Sequence, residues 1–396
     1  MKIAVEGCSH GELDRIYDDI LAYERESGSR VDVVLLCGDF QAIRNESDLN
    51  CHAVPAKYRR LGDFHRYYSG EKVAPILTLV IGGNHEASNY LWELYYGGWL
   101  APNIYYLGAA GCIEVGGVPV AAASGIYKEH DYTRGHYERM PYTDSEMRSI
   151  YHTRQFEMTK LGLLDSPSVF LSHDWPLGIE RYGDLSWLLH AKPFFRDEIE
   201  RNALGSPPLW MLLQELKPRH WFSAHLHVQY AACVRHTSGS NTEVLAIDDS
   251  EDDEPTSAPK YEQTDFLALS KCTRRGGFLH FFNIESPEDA LLSFRGAGPR
   301  PEVSLRFNKQ WLAITHALQP YFTLAHKQKD IPGAAELRNA VTASLSALEE
   351  RVGSDNAATD PLDVRSVQQF ELTAPPQSHG VRKDIARMSW LTSISL

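Results

Sequence analysis

Five short motifs in the first 227 residues carry side chains able to bind metal ions: Cys8-Ser9-His10, Gly38-Asp39, Gly83-Asn84-His85-Glu86, His173 and His225-Leu226-His227. Imidazoles suit borderline ions such as Zn, Fe or Mn, a carboxylate can bridge two of them, and an amide oxygen adds a ligand. Cys8, His10, Asp39, Asn84, His173, His225 and His227 together offer enough ligands for a pair of cations. Two cations roughly 3.5 to 4 Å apart could share Asp39, polarise phosphate oxygens and activate the attacking oxygen near neutral pH. Hydrolysis then needs a proton for the leaving oxygen. His85, next to Asn84, has the side chain to supply it as general acid. Each motif alone is weak, because a GD after a strand is usually a turn and a lone histidine is often a satisfied core residue. Their order and their shared position after strands carry the expectation of metal-assisted phosphoester hydrolysis.

Such residues meet only if the fold brings them to one place. In open α/β sheets the ligand site lies outside the carboxyl ends of strands, so residues far apart in sequence converge when each sits just past its strand. Residues 3–5 open the chain as a strand, and the apolar runs 31–37 (VDVVLLC) and 76–81 (ILTLVI) read as buried strands, each followed at once by glycine and polar residues. Leu13, Ile16, Tyr17, Ile20 and Leu21 fall at helical spacing and predict an amphipathic helix ended by Gly28. Further strands are expected at 113–123, folded at Gly116-Gly117, and at 168–171, 220–223 and 244–247. Residues 1–245 thus read as an α/β catalytic body, strands covered by helices.

From 125 to about 154 the periodicity fails and aromatic and basic residues crowd together, which predicts a long functional loop. The acidic, proline-containing stretch 248–260 is expected to be a disordered linker. The runs 266–269 and 278–284, within 261–298, are expected to rejoin the catalytic body. Leu337, Val341, Leu345, Leu348 and Val352 form a helical stripe, which makes 299–396 a mostly helical carboxyl-terminal appendage.

Composition narrows the class. A chain of 396 residues can build one large core plus a smaller unit. With 43% hydrophobic and 23% charged residues, disorder throughout is excluded. The amino terminus shows no apolar stretch of signal-peptide or membrane-spanning length, so an intracellular protein without membrane association is expected. Cysteines at 8, 37, 51, 112, 233 and 272 have no CxxC spacing, which argues against a disulfide framework. A net charge of −13 argues against coating nucleic acid by bulk attraction, while leaving room for a local basic patch. Part of the acidity is the run DDSEDDE at 248–254, which suits a solvated linker.

The ordered motifs resemble the pattern of the calcineurin-like metallophosphoesterases, DxH, GD, GNH[DE], H and GHxH. Two departures stand out: Ala224 precedes the final HxH, and Cys8 replaces the first aspartate. The resemblance implies a two-sheet β-sandwich flanked by helices. A thiol in place of a carboxylate softens that position and favours Zn or Fe over Mg. Within the superfamily the chain closely resembles the RNA lariat debranching enzymes, which carry cysteine there. MKIAVEGCSHGELDRIY, LLCGDFQAIRN, GGNHEASNYLWEL, YYGGWLAPNIYYLG, SGIYK, FLSHDWP, SAHLH and FLALSKC carry the likeness across about residues 1–285, with a short further match in FELTAPP at 370–376. By that resemblance Cys8, His10, Asp39 and His227 would hold one metal ion and Asp39, Asn84, His173 and His225 the other, with His85 as the acid. The implied reaction is hydrolysis of the 2′,5′-phosphodiester at the branch point of excised intron lariats, giving linear RNA. Two divalent ions (Fe, Zn or Mn) are the implied cofactors, branched intron RNA the partner, and the nucleus the compartment.

Residues 124–154 correspond in position to that family's lariat recognition loop. Tyr127, Lys128, Tyr132, Arg134, Tyr137, Arg139, Tyr142, Arg148, Tyr151 and Arg154 could track phosphates and stack on unpaired bases. Glu129, Asp131, Glu138, Asp144 and Glu146 nearly balance the bases, so a salt-bridged surface loop is the competing reading. Two other readings of the whole chain remain: another phosphoesterase, such as a 3′,5′-nuclease or protein phosphatase, and a non-catalytic scaffold on the same fold. Measured metal content separates the scaffold from the enzymes, and cleavage of branched against linear RNA separates the enzymes.

Overall fold

The protein is described from a computed structural model covering residues 1–236, 260–273, 276–288, 300, 302–354 and 360–377. The amino-terminal third builds one sheet by repeating strand and crossover. Strands β1 (Lys2–Glu6), β2 (Val33–Leu36) and β3 (Leu77–Val80) run parallel, with Ile3 beside Val33 and Val33 beside Leu77. β4 (Gly98–Ala101) and β5 (Ile104–Tyr106) close one edge of this sheet. The second sheet is built around the hairpin β6 (Ala110–Val115) and β7 (Val118–Ala123), continued by β8 (Val169–Ser172), β9 (His220–Ser223) and β10 (Tyr230–Arg235). Strands β7, β8 and β9 are parallel.

Residues 237–259 lie outside the described residues, and with them the strand expected at 244–247 and nearly all of the linker expected at 248–260. The two strands expected beyond them are present and go to different sheets. β11 (Gln263–Ala268) inserts between β9 and β10, and β12 (Leu279–Asn283) pairs antiparallel with β1 at the edge of the first sheet.

The apolar strand runs are buried on both faces, and their alternation divides the core into three layers of packing. Between the sheets Ile3, Val5, Val33, Leu35, Leu77 and Leu79 meet Val118, Val120, Ala122, Val169, Leu171 and Phe222. On the outer face of the first sheet Ala4, Val34, Leu36 and Val80 pack with Leu13, Ile16, Tyr17 and Ile20 of the helix Leu13–Ser27. That helix stops as expected at Gly28, whose φ of 66° lets its N–H reach Glu24 O at 3.0 Å. On the outer face of the second sheet Ala121, Phe170, Trp221 and Phe266 are covered by the helices Gln155–Gly162, Pro207–Leu216 and Lys309–Leu318. The result is a two-sheet sandwich with helices outside.

The carboxyl-terminal region is helical over Lys309–Leu318 and Ala334–Ser354, where Leu337 and Val341 of the expected stripe are buried. It is more closely built into the body than an appendage would be. Trp311, Ile314 and Leu318 belong to the second sheet's core, and β13 (Leu305–Phe307) pairs with β6 at that sheet's edge. A strand of three residues shows no periodicity, so nothing in the sequence announced it. Residues 368–377 then run back across the first sheet. Gln368 O accepts from Trp99 Nε1 at 3.1 Å, Tyr68 exchanges hydrogen bonds with Ala374, and Phe370 packs edge-on to Tyr68.

This strap ends on a buried arginine in the loop after β2. Arg44 is 3% exposed and donates to both Asp48 oxygens at 2.8 and 2.9 Å, to Glu93 at 3.0 Å and to Thr373 Oγ1 at 2.7 Å. Replacing Arg44 by alanine leaves Asp48 buried without its cation, which costs about 3 to 5 kcal/mol. Chemical denaturation of Arg44→Ala should show a loss of that size, with a similar slope against denaturant.

Candidate metal centre

The five motifs all follow strands, and the two sheets bring the carboxyl ends of those strands together. Cys8 and His10 follow β1, Asp39 follows β2, Asn84 and His85 follow β3, His173 follows β8, and His225 and His227 follow β9. The turns are sharp enough that four of these residues adopt left-handed backbone: His10 (φ 48°), Asp39 (48°), His225 (61°) and His227 (50°). Such conformations cost a non-glycine residue roughly 1 to 3 kcal/mol and gather at functional sites. Two glycines permit the close approach. A Cβ at Gly38 would lie 2.5 Å from His173 Nδ1, and one at Gly83 would lie 2.3 Å from Asp39 Oδ1.

Asp39 is the centre of the cluster and is 1% exposed. One oxygen, Oδ1, accepts the His85 backbone N–H at 2.9 Å and lies 3.2 Å from His173 Nε2. The other, Oδ2, is buried without a hydrogen-bond partner and lies 3.6 Å from His10 Nε2. On the Oδ1 side, His173 Nδ1 is 2.7 Å from Cys37 O, which can only accept, so Nδ1 carries the proton. Its Nε2 lone pair then faces two oxygens, Asp39 Oδ1 and Asn84 Oδ1, the latter also at 3.2 Å. Converging lone pairs need a proton or a cation between them. The His225 ring stands beside this group, 5.0 Å from the His173 ring.

On the Oδ2 side, His10 Nε2 is 3.1 Å from His227 Nε2. The ligand atoms of Cys8, His10, Asp39 and His227 all lie within 4.8 Å of one another. Cys8 Sγ also accepts the His225 backbone N–H at 3.1 Å. The seven residues expected from the sequence are therefore together, in two groups joined by Asp39.

Electrostatics suit a cation pair. Burial would raise the Asp39 pKa, but His173, His85 and His10 hold it well below the usual carboxylate range. Burial pushes His10 down to about 4, His227 to about 3, and His225 downward as well, so these imidazoles are neutral and have lone pairs to donate. Burial would lower His173, yet Asp39 and the bond to Cys37 bring it up to about 8. Burial, with Asp39 and Glu6 nearby, pushes the Cys8 thiol well above its ordinary value. Ligation there would have to displace a proton. The orphaned oxygen of Asp39, the facing lone pairs and the mixed N, O and S donor set all fit borderline divalent ions.

His85 is held beside this set and outside it. Its ring is 5.6 Å from the His10 ring, and its Nδ1 is buried without a partner. Glu86, quoted in the sequence only as part of a motif, locks the two ligand loops together. It accepts from the backbone N–H groups of Phe40 and Gln41 at 2.7 Å each and of Gly83 at 3.0 Å. Sequence reasoning missed His52 altogether. It is 2% exposed and edge-on to His85 at 6.3 Å between ring centroids. It sits in a non-periodic loop, where no pattern distinguishes it.

Residues 125–154 form an ordered loop seated on the centre. Gly125 N–H donates to Gly82 O at 2.9 Å and Tyr127 N–H to Asp174 Oδ2 at 3.1 Å. Lys128, Arg139 and Arg148 are exposed, while Tyr127, Tyr132, Arg134, Tyr137, Tyr142 and Tyr151 are half-buried. Arg154 departs from the expectation of an RNA contact. It is wholly buried, pairs with Glu138, and donates to Asp131 O at 2.9 Å and Ser149 O at 3.1 Å. Asp131 in turn binds His152 at 2.6 Å and Arg134 at 2.8 Å. Part of the loop's charge is therefore internal, as the salt-bridged reading foresaw, and Arg154 holds the loop's shape.

Residues 1–229 match the calcineurin-like phosphoesterase family, which defines the class. Residues 261–391 match the carboxyl-terminal domain of lariat debranching enzymes. The chain is 46% identical over 352 residues to the lariat debranching enzyme of Arabidopsis thaliana, covering 89% of this chain and 76% of that protein. It is 48% identical over 333 residues to that of Homo sapiens and 47% identical over the same length to lariat debranching enzyme A of Xenopus laevis. The chain belongs to the lariat debranching enzyme family. It spans only 56% and 57% of the human and Xenopus proteins.

Cations that bind the folded centre stabilise it by mass action, by about 2.7 kcal/mol at a hundred times the dissociation constant. Adding Zn or Mn to chelator-treated protein should raise the thermal midpoint, and Asp39→Asn, which weakens both groups at once, should remove most of that increase.

Proposed function

We propose that this chain is a metal-dependent phosphodiesterase that opens branched RNA, hydrolysing the 2′,5′-phosphodiester at the branch point of excised introns to give linear RNA. The observation that carries the reading is the convergence of two ligand groups on Asp39, with a thiol in one and the His85 ring alongside. Family membership and a loop that combines exposed bases with half-buried tyrosines beside the centre support the choice of substrate. Cys8, His10, Asp39 and His227 would hold one ion, and Asp39, Asn84, His173 and His225 the other, with Fe, Zn or Mn suited to the donors. Such a pair would offset phosphate charge and lower the pKa of a water near it.

The chain's own residues do the rest. The His85 backbone N–H is bound to Asp39 Oδ1, which fixes the ring at the edge of the centre. A water oxygen joins phosphorus and releases a proton to solvent, the bond from phosphorus to the 2′-oxygen breaks, and His85 gives that oxygen a proton that solvent then restores to the ring. Lys128, Arg139 and Arg148 are exposed and would meet phosphates, and the half-buried Tyr127, Tyr132, Tyr137 and Tyr142 would stack on bases. The nucleus is the compartment that this substrate implies. Among the described residues no helix is long and apolar enough to cross a membrane.

The deciding experiment incubates metal-loaded protein with a synthetic branched RNA and with a linear RNA of the same sequence. Release of a linear product from the branched substrate alone is expected; equal cleavage of both would make the protein a general nuclease. His85→Ala should lower kcat on branched RNA by about 10² to 10⁴ while metal content is unchanged, because it removes an acid and no ligand. Cys8→Asp should shift activation from Zn or Fe toward harder ions such as Mn, and an unaltered metal profile would place the thiol outside the ligand set.

A further inference from the structure

His52 has no part in the metal groups, yet it is built toward them. The short turn Asp48–Cys51 ends at this residue, whose backbone N–H donates to Leu49 O at 3.3 Å. Its backbone also bridges to Ala87, two residues past His85. The ring meets the His85 ring edge-on, at 84° and 6.3 Å between centroids. Both ring nitrogens are buried, and neither has a hydrogen-bond partner. The preceding residue, Cys51, has its Sγ 3.6 Å from Met140 Sδ in the loop, and Met140 is 58% exposed. His52 is thus beside the His85 ring, and the residue before it touches the loop.

Leaving buried polar atoms without partners costs roughly 1 to 3 kcal/mol, which an apolar side chain in the same space would avoid. A partner that arrives with the substrate accounts for the imidazole. A neutral imidazole offers one donor and one acceptor, and a ribonucleotide supplies both complements, a phosphate oxygen and a ribose hydroxyl. We propose that His52 is a substrate-contacting residue, hydrogen-bonded to the ribose-phosphate of the branch nucleotide so that its leaving 2′-oxygen is held against His85. The inference rests on the debranching reading above.

The test uses metal-loaded wild type, His52→Phe and His52→Gln, each checked by thermal melting and metal content. Substrates are a branched RNA and bis(p-nitrophenyl) phosphate, which has no ribose. His52→Phe keeps a ring and removes the polar atoms; if it does not fold, His52→Leu takes its place. One lost hydrogen bond predicts a fall in kcat/KM of about tenfold on branched RNA, at least roughly threefold greater than the fall on the small ester. His52→Gln, which keeps a donor and an acceptor, should recover most of the loss. Equal losses on both substrates would show that His52 merely props His85, and no loss on branched RNA would show that water satisfies the ring; either result overturns the proposal. Wild type that hydrolyses the ester but leaves branched RNA intact would instead overturn the debranching reading, and this inference with it.

Discussion

The centre depends on keeping a negative charge at Asp39 inside the protein. A carboxylate with 1% exposure would ordinarily take up a proton, since burial disfavours the charged form. Here the backbone N–H of His85 and the imidazoles of His173 and His10 surround it, and one of its oxygens still lacks a partner. Two sheets have to end at the same point for this to happen. One delivers Cys8, His10, Asp39, Asn84 and His85, and the other delivers His173, His225 and His227. The sandwich core between Val33, Leu35, Val169 and Leu171 sets how those ends meet.

Local strain is accepted where the expected ligands turn. His10, Asp39, His225 and His227 all hold left-handed backbone, and Gly38 and Gly83 give the space that lets the loops touch. Glu86 converts these loops into one unit, because a single carboxylate takes three backbone N–H groups from two of them. The loop residues are thus fixed by hydrogen bonds to backbone before any ligand is considered, which is what a preorganised site requires.

The parts of this design that follow a period could be read from the chain. β1, β2, β3, β8 and β9, and the helix closing at Gly28, were visible as apolar runs or stripes, and the motifs just past the strands marked the site. The seven expected ligands stand together for that reason. What stayed hidden depends on partners distant in sequence. β13 is three residues long and is defined by pairing with β6, and β10 has the alternation of a strand but joins its sheet through β11. Arg154 read as a basic group for RNA because composition cannot tell an exposed arginine from one enclosed by Glu138, Asp131 and Ser149. His52 was silent for the converse reason, since its ring meets His85 only in space.

The strap at 368–377 also bears on how the protein is made. Arg44 finds its last partner in Thr373, 329 residues further along, and β1 gains its outer neighbour only when β12 has been synthesised. On the ribosome, the first sheet must therefore wait with an unpaired edge and an arginine short of one acceptor while most of the chain emerges. Exposed edges of this kind invite mispairing, and β12 is the strand that covers this one.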